Sequence, residues 1–192
     1  MEKRRELGLI AILLIAAVLM SLIAPYNDMV KLRNNVRENY SQIEIALQGR
    51  LEKIPDIVAT VESYTQHEET VLIEVTNARS GLEKAIESGD MDQISAADEN
   101  LTTAIKSLQV VVEAYPELKA SELYVMLIDE VAGSSNRVNQ ARRSYNLAVT
   151  DYNNRLESFP AVLYARMLGF EPAKYFEAQE AAHTTNVVNF GN

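Results

Sequence analysis

The sequence predicts an all-α protein: an N-terminal transmembrane helix followed by an up-down-up-down antiparallel four-helix bundle. Three observations carry that prediction. The 192 residues include only seven Gly and five Pro, too few for a turn-rich sheet protein and compatible with long helices. Residues 7–24, LGLIAILLIAAVLMSLIA, hold no charge. Beyond them, apolar residues recur at steps of three and four in four long stretches separated by short breaks, which is the spacing of one helix face. A chain of this length with 47% apolar residues builds one domain with a core. There is no cysteine, which excludes disulfides, thiolate metal sites, thiol catalysis and lipid attachment at a Cys.

The uncharged run spans about 27 Å as a helix, close to the hydrocarbon thickness of a bilayer. A cleaved signal peptide is the competing reading. Bulky Leu22 at the −3 position of the one plausible site, with Pro25 directly after it, disfavours cleavage and favours an uncleaved anchor over 7–24. Basic residues flank the run on both sides, Lys3, Arg4 and Arg5 before it and Lys31, Arg33 and Arg37 after it. Proximity breaks that tie, because the first trio lies directly against the membrane. Residues 1–6 are then a short cytoplasmic tail, and the head is extracytoplasmic. The net charge is −9 overall; residues 1–24 carry +1 (three basic, two acidic), so the rest carries −10. Such a head is repelled by phosphate backbones and by anionic lipids, which argues against nucleic-acid binding.

The head is read over residues 25–168. Its first helix shows Met29, Leu32, Val36, Tyr40, Ile43, Leu47, Leu51 and Ile54 on one face and stops at Pro55. Proline suits the first turn of the next helix, whose stripe is Ile57, Val61, Tyr64, Val71, Val75, Ala78, Leu82 and Ala85. ESGD at 87–90 breaks the pattern again. Met91, Ile94, Leu101, Ile105, Leu108, Val112 and Tyr115 form the third stripe, closed by Pro116. The fourth helix runs from the N-cap candidate Ser121 to Ser158, before Pro160. Short breaks between long amphipathic helices fold them back on one another.

In the fourth stripe Tyr145, Tyr152 and Phe159 stand seven apart and are expected to pack in the seam rather than form a ligand cage. A parallel column, Asn139, Asn146 and Asn153, is unusual because Asn is a poor helix former. Two readings stand open for it, hydrogen bonding across helices and a polar face for a partner. Two charges fall on core-facing positions, Asp98 in the third helix and Arg142 in the fourth. Counted back from the turn near Pro116–Ser121, they lie about 27 Å and about 32 Å along neighbouring antiparallel helices. An Asp98–Arg142 pair follows, with Arg79 as the alternative partner and a snorkelling Arg142 as the competing outcome. Glu68 also falls in the seam and completes a candidate interhelical polar network.

Motifs for chemistry are sparse. HEETV at 67–71 lacks the second His of the zinc-protease pattern, with Val71 in its place. The Glu-x-x-His pair of a di-iron bundle is missing, since Tyr64 precedes His67 by three. His67 reads as a partly exposed helix residue, and two histidines in the whole chain leave little room for a triad. No Gly-rich phosphate loop occurs, so no metal, no cofactor and no catalytic residue is expected.

Six stretches together resemble the LemA family of membrane-anchored bacterial and archaeal proteins: YNDMVKLRNNV (26–36), YSQIEIALQGRLEKIPDIV (40–58), HEETVLIEVTNARS (67–80), ENLTTAIKSLQVVVEAYPELKAS (99–121), NRVNQARRSYNLAVTDYNNRLESFP (136–160) and LGFEPAKYFEA (168–178). The chain departs from the family pattern at Tyr40, Gly49 and Ser135. The resemblance implies an anchor, a four-helix head and no established activity. The expected function is a non-enzymatic adaptor or scaffold in the cell envelope, with the bilayer (through 7–24) and other membrane or envelope proteins as partners. A small-ligand sensor using the bundle interior and a regulator of a membrane protease are the alternatives. Residues 169–192 are expected to form a weakly ordered tail whose Val187, Val188 and Phe190 offer a short binding motif.

Overall fold

The computed structural model describes residues 2–65 and 67–176, with side chains from Ile23 onward. Every regular element among them is helical: α1 (Glu2–Leu51), α2 (Ile54–Tyr64), α3 (Glu69–Ser88), α4 (Met91–Val112), α5 (Pro116–Lys119) and α6 (Glu122–Glu157), then two 3-10 turns at Ala161–Leu163 and Arg166–Leu168. The apolar stripes account for the burial. Met29, Val36, Ile43, Leu47 and Leu51 of α1 are buried, as are Ile94, Leu101, Ile105 and Leu108 of α4.

Local chemistry sets the ends. Pro55 occupies the first turn of α2, where a missing N–H costs nothing. Gly89 ends α3 in the left-handed conformation at φ 69°, which a side chain would strain. Directly after it, Asp90 caps α4 by accepting from the backbone N–H of Asp92 at 2.9 Å and of Gln93 at 3.2 Å, as an N-cap carboxylate does. That two-residue turn lays α3 against α4.

The expected second helix is two helices. Thr65 is extended, at φ −119° and ψ 145°, and His67 lies in a bend outside any helix. Between Tyr64 and Val71 the sequence offers no apolar residue, so no packing supports a continuous helix there. The third helix ends at Val112, leaving Tyr115 to precede the single turn α5. Phe159 is not a seam residue but 80% exposed. Its heptad position outlasts the helix, which stops at Glu157, and beyond the last turn the period no longer sets direction. Tyr145 and Tyr152 are buried.

The chain divides into two compact units, Met1–Asn39 with Ser144–Lys174, and Tyr40–Arg143 with Tyr175–Asn192. Both α1 and α6 contribute to each. Helix α1 continues through Pro25 and so through the expected boundary between anchor and head. Among the described residues no helix is long and apolar enough to cross a membrane. The expected anchor falls, as far as Leu22, on residues whose side chains lie outside that description, and Val187, Val188 and Phe190 lie wholly outside it. Residues 169–176 do not behave as a loose tail, since Phe170 and Phe176 are both buried.

Candidate functional site

Heptad columns explain the most polar part of the interior. In α1, Met29, Val36, Ile43 and Arg50 follow one another at intervals of seven. In α4, Asp98 heads a column with Ile105 and Val112; in α6, Arg142 heads one with Val149 and Leu156. Each charge therefore takes a place that packing reserves for an apolar side chain. The unit containing residues 40–143 brings the three together. Arg50, only 2% exposed, donates through Nη1 to Asp98 Oδ1 and through Nη2 to Thr102 Oγ1 at 2.9 Å. Arg142 donates through Nη2 to Asp98 Oδ2 at 3.0 Å. Thr102 in turn donates to the Asp98 carbonyl at 2.8 Å.

Two guanidiniums on one carboxylate leave a formal charge of +1 in the interior. Burial lowers the Arg142 pKa from its usual value, Asp98 opposes that, Arg50 adds to it, and Glu99 opposes it more weakly. Among the described residues, Nε of Arg50 and Nε of Arg142 are buried without a hydrogen-bond partner. The Arg142 guanidinium also stacks over the Phe176 ring at 4.5 Å, a cation–π contact. Both oxygens of Asp98 are occupied by arginine, so this carboxylate is not free to take a proton as a general base would.

The remaining residues singled out in the sequence have other partners. Arg79 does not reach Asp98. It pairs with Glu83 at 2.7 Å and donates from Nε to the Leu51 carbonyl at 3.3 Å, because a partner one turn along the same helix satisfies it first. Glu68 stands at the N-cap of α3 and accepts from the Tyr115 hydroxyl at 3.1 Å. That bond, followed by burial and the Glu68 charge, raises the Tyr115 pKa. Near it an open cavity of about 350 Å³ is bordered by Glu62, Glu68, Glu69, Leu72 and Ile73. Among the described residues no group of His, Asp and Glu is arranged to hold a metal.

The asparagine column is not uniform. Asn139 is exposed and Asn146 half-buried. Asn153 bonds to a peptide group rather than to another helix: its Nδ2 donates to the Ala173 carbonyl and its Oδ1 accepts from the Ala173 N–H, both at 2.9 Å. The Tyr145 hydroxyl donates to the Lys174 carbonyl at 2.9 Å. Helix α6 thus holds an extended strap, residues 170–174, by its backbone. Phe170 anchors the strap, 1% exposed, edge-on to Tyr26 at 5.5 Å and under the Arg33 guanidinium at 4.9 Å. Sequence reading missed Arg50 and this strap. The heptad column that ends in Arg50 was a signal for the first; the strap has no periodicity to read.

An all-helical protein with charge-joined helices and no described metal or catalytic cluster is what the geometry defines. The model of the LemA family matches residues 39–190, and the chain belongs to that family. It is similar to magnetosome protein MamQ 2 of Paramagnetospirillum magneticum, 22% identical over 201 residues that cover 93% of this chain and 74% of that protein. Protein LemA of Metamycoplasma hominis is 25% identical over 158 residues, covering 80% of this chain and 69% of that one. Magnetosome protein MamQ of Magnetospirillum gryphiswaldense is 20% identical over 198 residues, covering 91% and 73%. None of these names denotes a reaction.

Proposed function

We propose that this chain is a single-pass membrane protein whose helical head, an up-down-up-down four-helix bundle, acts as a non-enzymatic adaptor for other membrane or envelope proteins. The N-terminus is cytoplasmic and the head extracytoplasmic. One observation carries the reading: α1 is a single helix from Glu2 to Leu51, so the uncharged run at 7–24 and the head's buried residues from Met29 onward belong to one element. A helix that changes from uniformly apolar to amphipathic without a break suits a bilayer on one side and a packed head on the other.

The adaptor reading draws on how the polar groups are used. Asp98 and Glu68 are each held by an arginine or a phenol of the head itself, leaving surfaces to carry function. Ile45, Val110 and Leu147 are large, apolar and exposed, and each gives a position from which a bound partner can be trapped. Photo-crosslinking from these three positions in the native membrane tests the proposal. Discrete protein adducts are expected, and protease added outside the membrane should digest the head. Lipid adducts alone, or a head protected from that protease, would contradict it. The cavity beside Glu68 supports a second reading, a small-ligand sensor, which thermal stabilisation of the purified protein by a cationic ligand would favour.

A further inference from the structure

The chain leaves α6 at Glu157 and reaches the buried Phe170 twelve residues past Ser158, and both ends are tied to α1 at Tyr26 and Asp28. Arg155 Nε donates to Asp28 Oδ2 at 2.7 Å, and Phe170 packs on Tyr26. The segment between them is therefore held near the level of residues 26–28. At 1.5 Å per residue that is roughly 3 to 6 Å along the helix axis from Ala24, where the uncharged run ends.

A loop facing water would turn its polar residues outward. This one turns out its largest apolar side chains: Met167 is 86% exposed, Phe159 80% and Leu163 68%, with Val162 and Leu168 also exposed. The small Ala161, in the first 3-10 turn, and Ala165, at the N-cap of the second, are buried instead. Arg166 is exposed among them. Behind the loop, Leu156, Val162, Ala165 and Phe170 border a cavity of about 280 Å³.

We propose that residues 159–168 form a membrane-surface element, lying in the headgroup region of the bilayer that the anchor crosses. Phe159, Leu163 and Met167 enter the acyl boundary and Arg166 meets lipid phosphates, the arrangement of interfacial segments with apolar and basic faces. Exposed apolar patches elsewhere mark protein partners as often as lipid. Here continuity with the uncharged run, through Asp28–Arg155 and Tyr26–Phe170, selects lipid. The inference rests on the anchored reading and adds to it a second attachment, which fixes how residues 26–33 and 153–170 stand on the bilayer.

The chain contains no Trp, so single substitutions report one site each. The full chain, reconstituted in mixed zwitterionic and anionic bilayers containing brominated phospholipid, is compared as Phe159→Trp, Met167→Trp, Leu14→Trp and Leu147→Trp. Leu147 is exposed on α6, about 12 Å along the helix from Arg155. Lipid quenching several-fold stronger for Phe159→Trp and Met167→Trp than for Leu147→Trp, with Leu14→Trp quenched, supports the inference. If only Leu14→Trp is quenched, the surface element fails while the anchor stands. If Leu14→Trp is also unquenched, the anchored reading fails and takes this inference with it. Blue-shifted but unquenched emission from Phe159→Trp would mean that protein covers the loop, which also overturns it.

Discussion

In the unit containing residues 40–143, a cluster of charges joins three helices: Arg50 of α1, Asp98 of α4 and Arg142 of α6. In the unit containing residues 1–39 and 144–174, a neutral device holds the chain, with Asn153 grasping the backbone of Ala173. The two devices select different things. A buried carboxylate accepts only a particular register, because every misaligned pairing leaves a charge unpaired in the interior. An amide on a peptide group reads backbone alone, so identity in the strap comes from Phe170 rather than from the clamp. Asp98 and Asn153 both direct their side-chain oxygens to partners within the protein.

Changes to the charged device should have the largest effect. Asp98→Leu leaves two guanidiniums without their carboxylate and should cost about 3–5 kcal/mol, measured by denaturant unfolding. A cost below 1 kcal/mol would mean that water already screens the cluster. Ending the chain at Gly169 comes next. It removes two buried phenylalanines and three strap hydrogen bonds, offset by the freedom regained by the strap, and should cost about 2–4 kcal/mol net. An unchanged unfolding midpoint would make the strap an accessory. Asn153→Ala should cost about 1–3 kcal/mol by leaving a peptide group unpaired, and Asn139→Ala, at an exposed site of the same column, within about 0.5 kcal/mol. Equal effects would dissolve the distinction between them.

Much of this was legible in the sequence, and the misses share a cause. Heptad columns put Asp98 and Arg142 inside, and counting along antiparallel helices brought them within reach of each other, which is where they stand. The same column logic applied to Arg50, yet its neighbours Leu47 and Leu51 already completed the stripe and hid it. Asn153 was conspicuous by its spacing, but its partner is a backbone group in a segment without period. Periodicity reads packing against a helix face; it is silent about residues 170–176, which lie outside any helix. It also misleads where it persists past a helix end, as at Phe159, and where it skips a polar gap, as between Tyr64 and Val71.

The smallest expected effect concerns Tyr152. Burial raises its phenol pKa above the usual value, Arg33 and Arg37 oppose that, and Glu171 reinforces it. A raised folded-state value means that the contribution to stability is fully present below the ordinary phenol pKa of about 10 and is lost as pH rises through the folded value. Spectrophotometric titration of Tyr152→Phe should lack one late-ionising phenol, and loss of a phenol that ionises in the ordinary range would place Tyr152 in water.

The central claim, that the buried charges serve the fold while function lies on the surface, meets its most direct test in the triple variant Arg50→Met, Asp98→Leu, Arg142→Met. Replacing a whole buried ionic group with apolar residues of similar size is often tolerated where breaking it is not. The measurement is the photo-crosslinking pattern of this variant in the native membrane, from Ile45, Val110 and Leu147. The account predicts a folded protein with the wild-type pattern of adducts. A variant with native helicity and unfolding midpoint that had lost those adducts would contradict it, because the cluster itself would then be the working site.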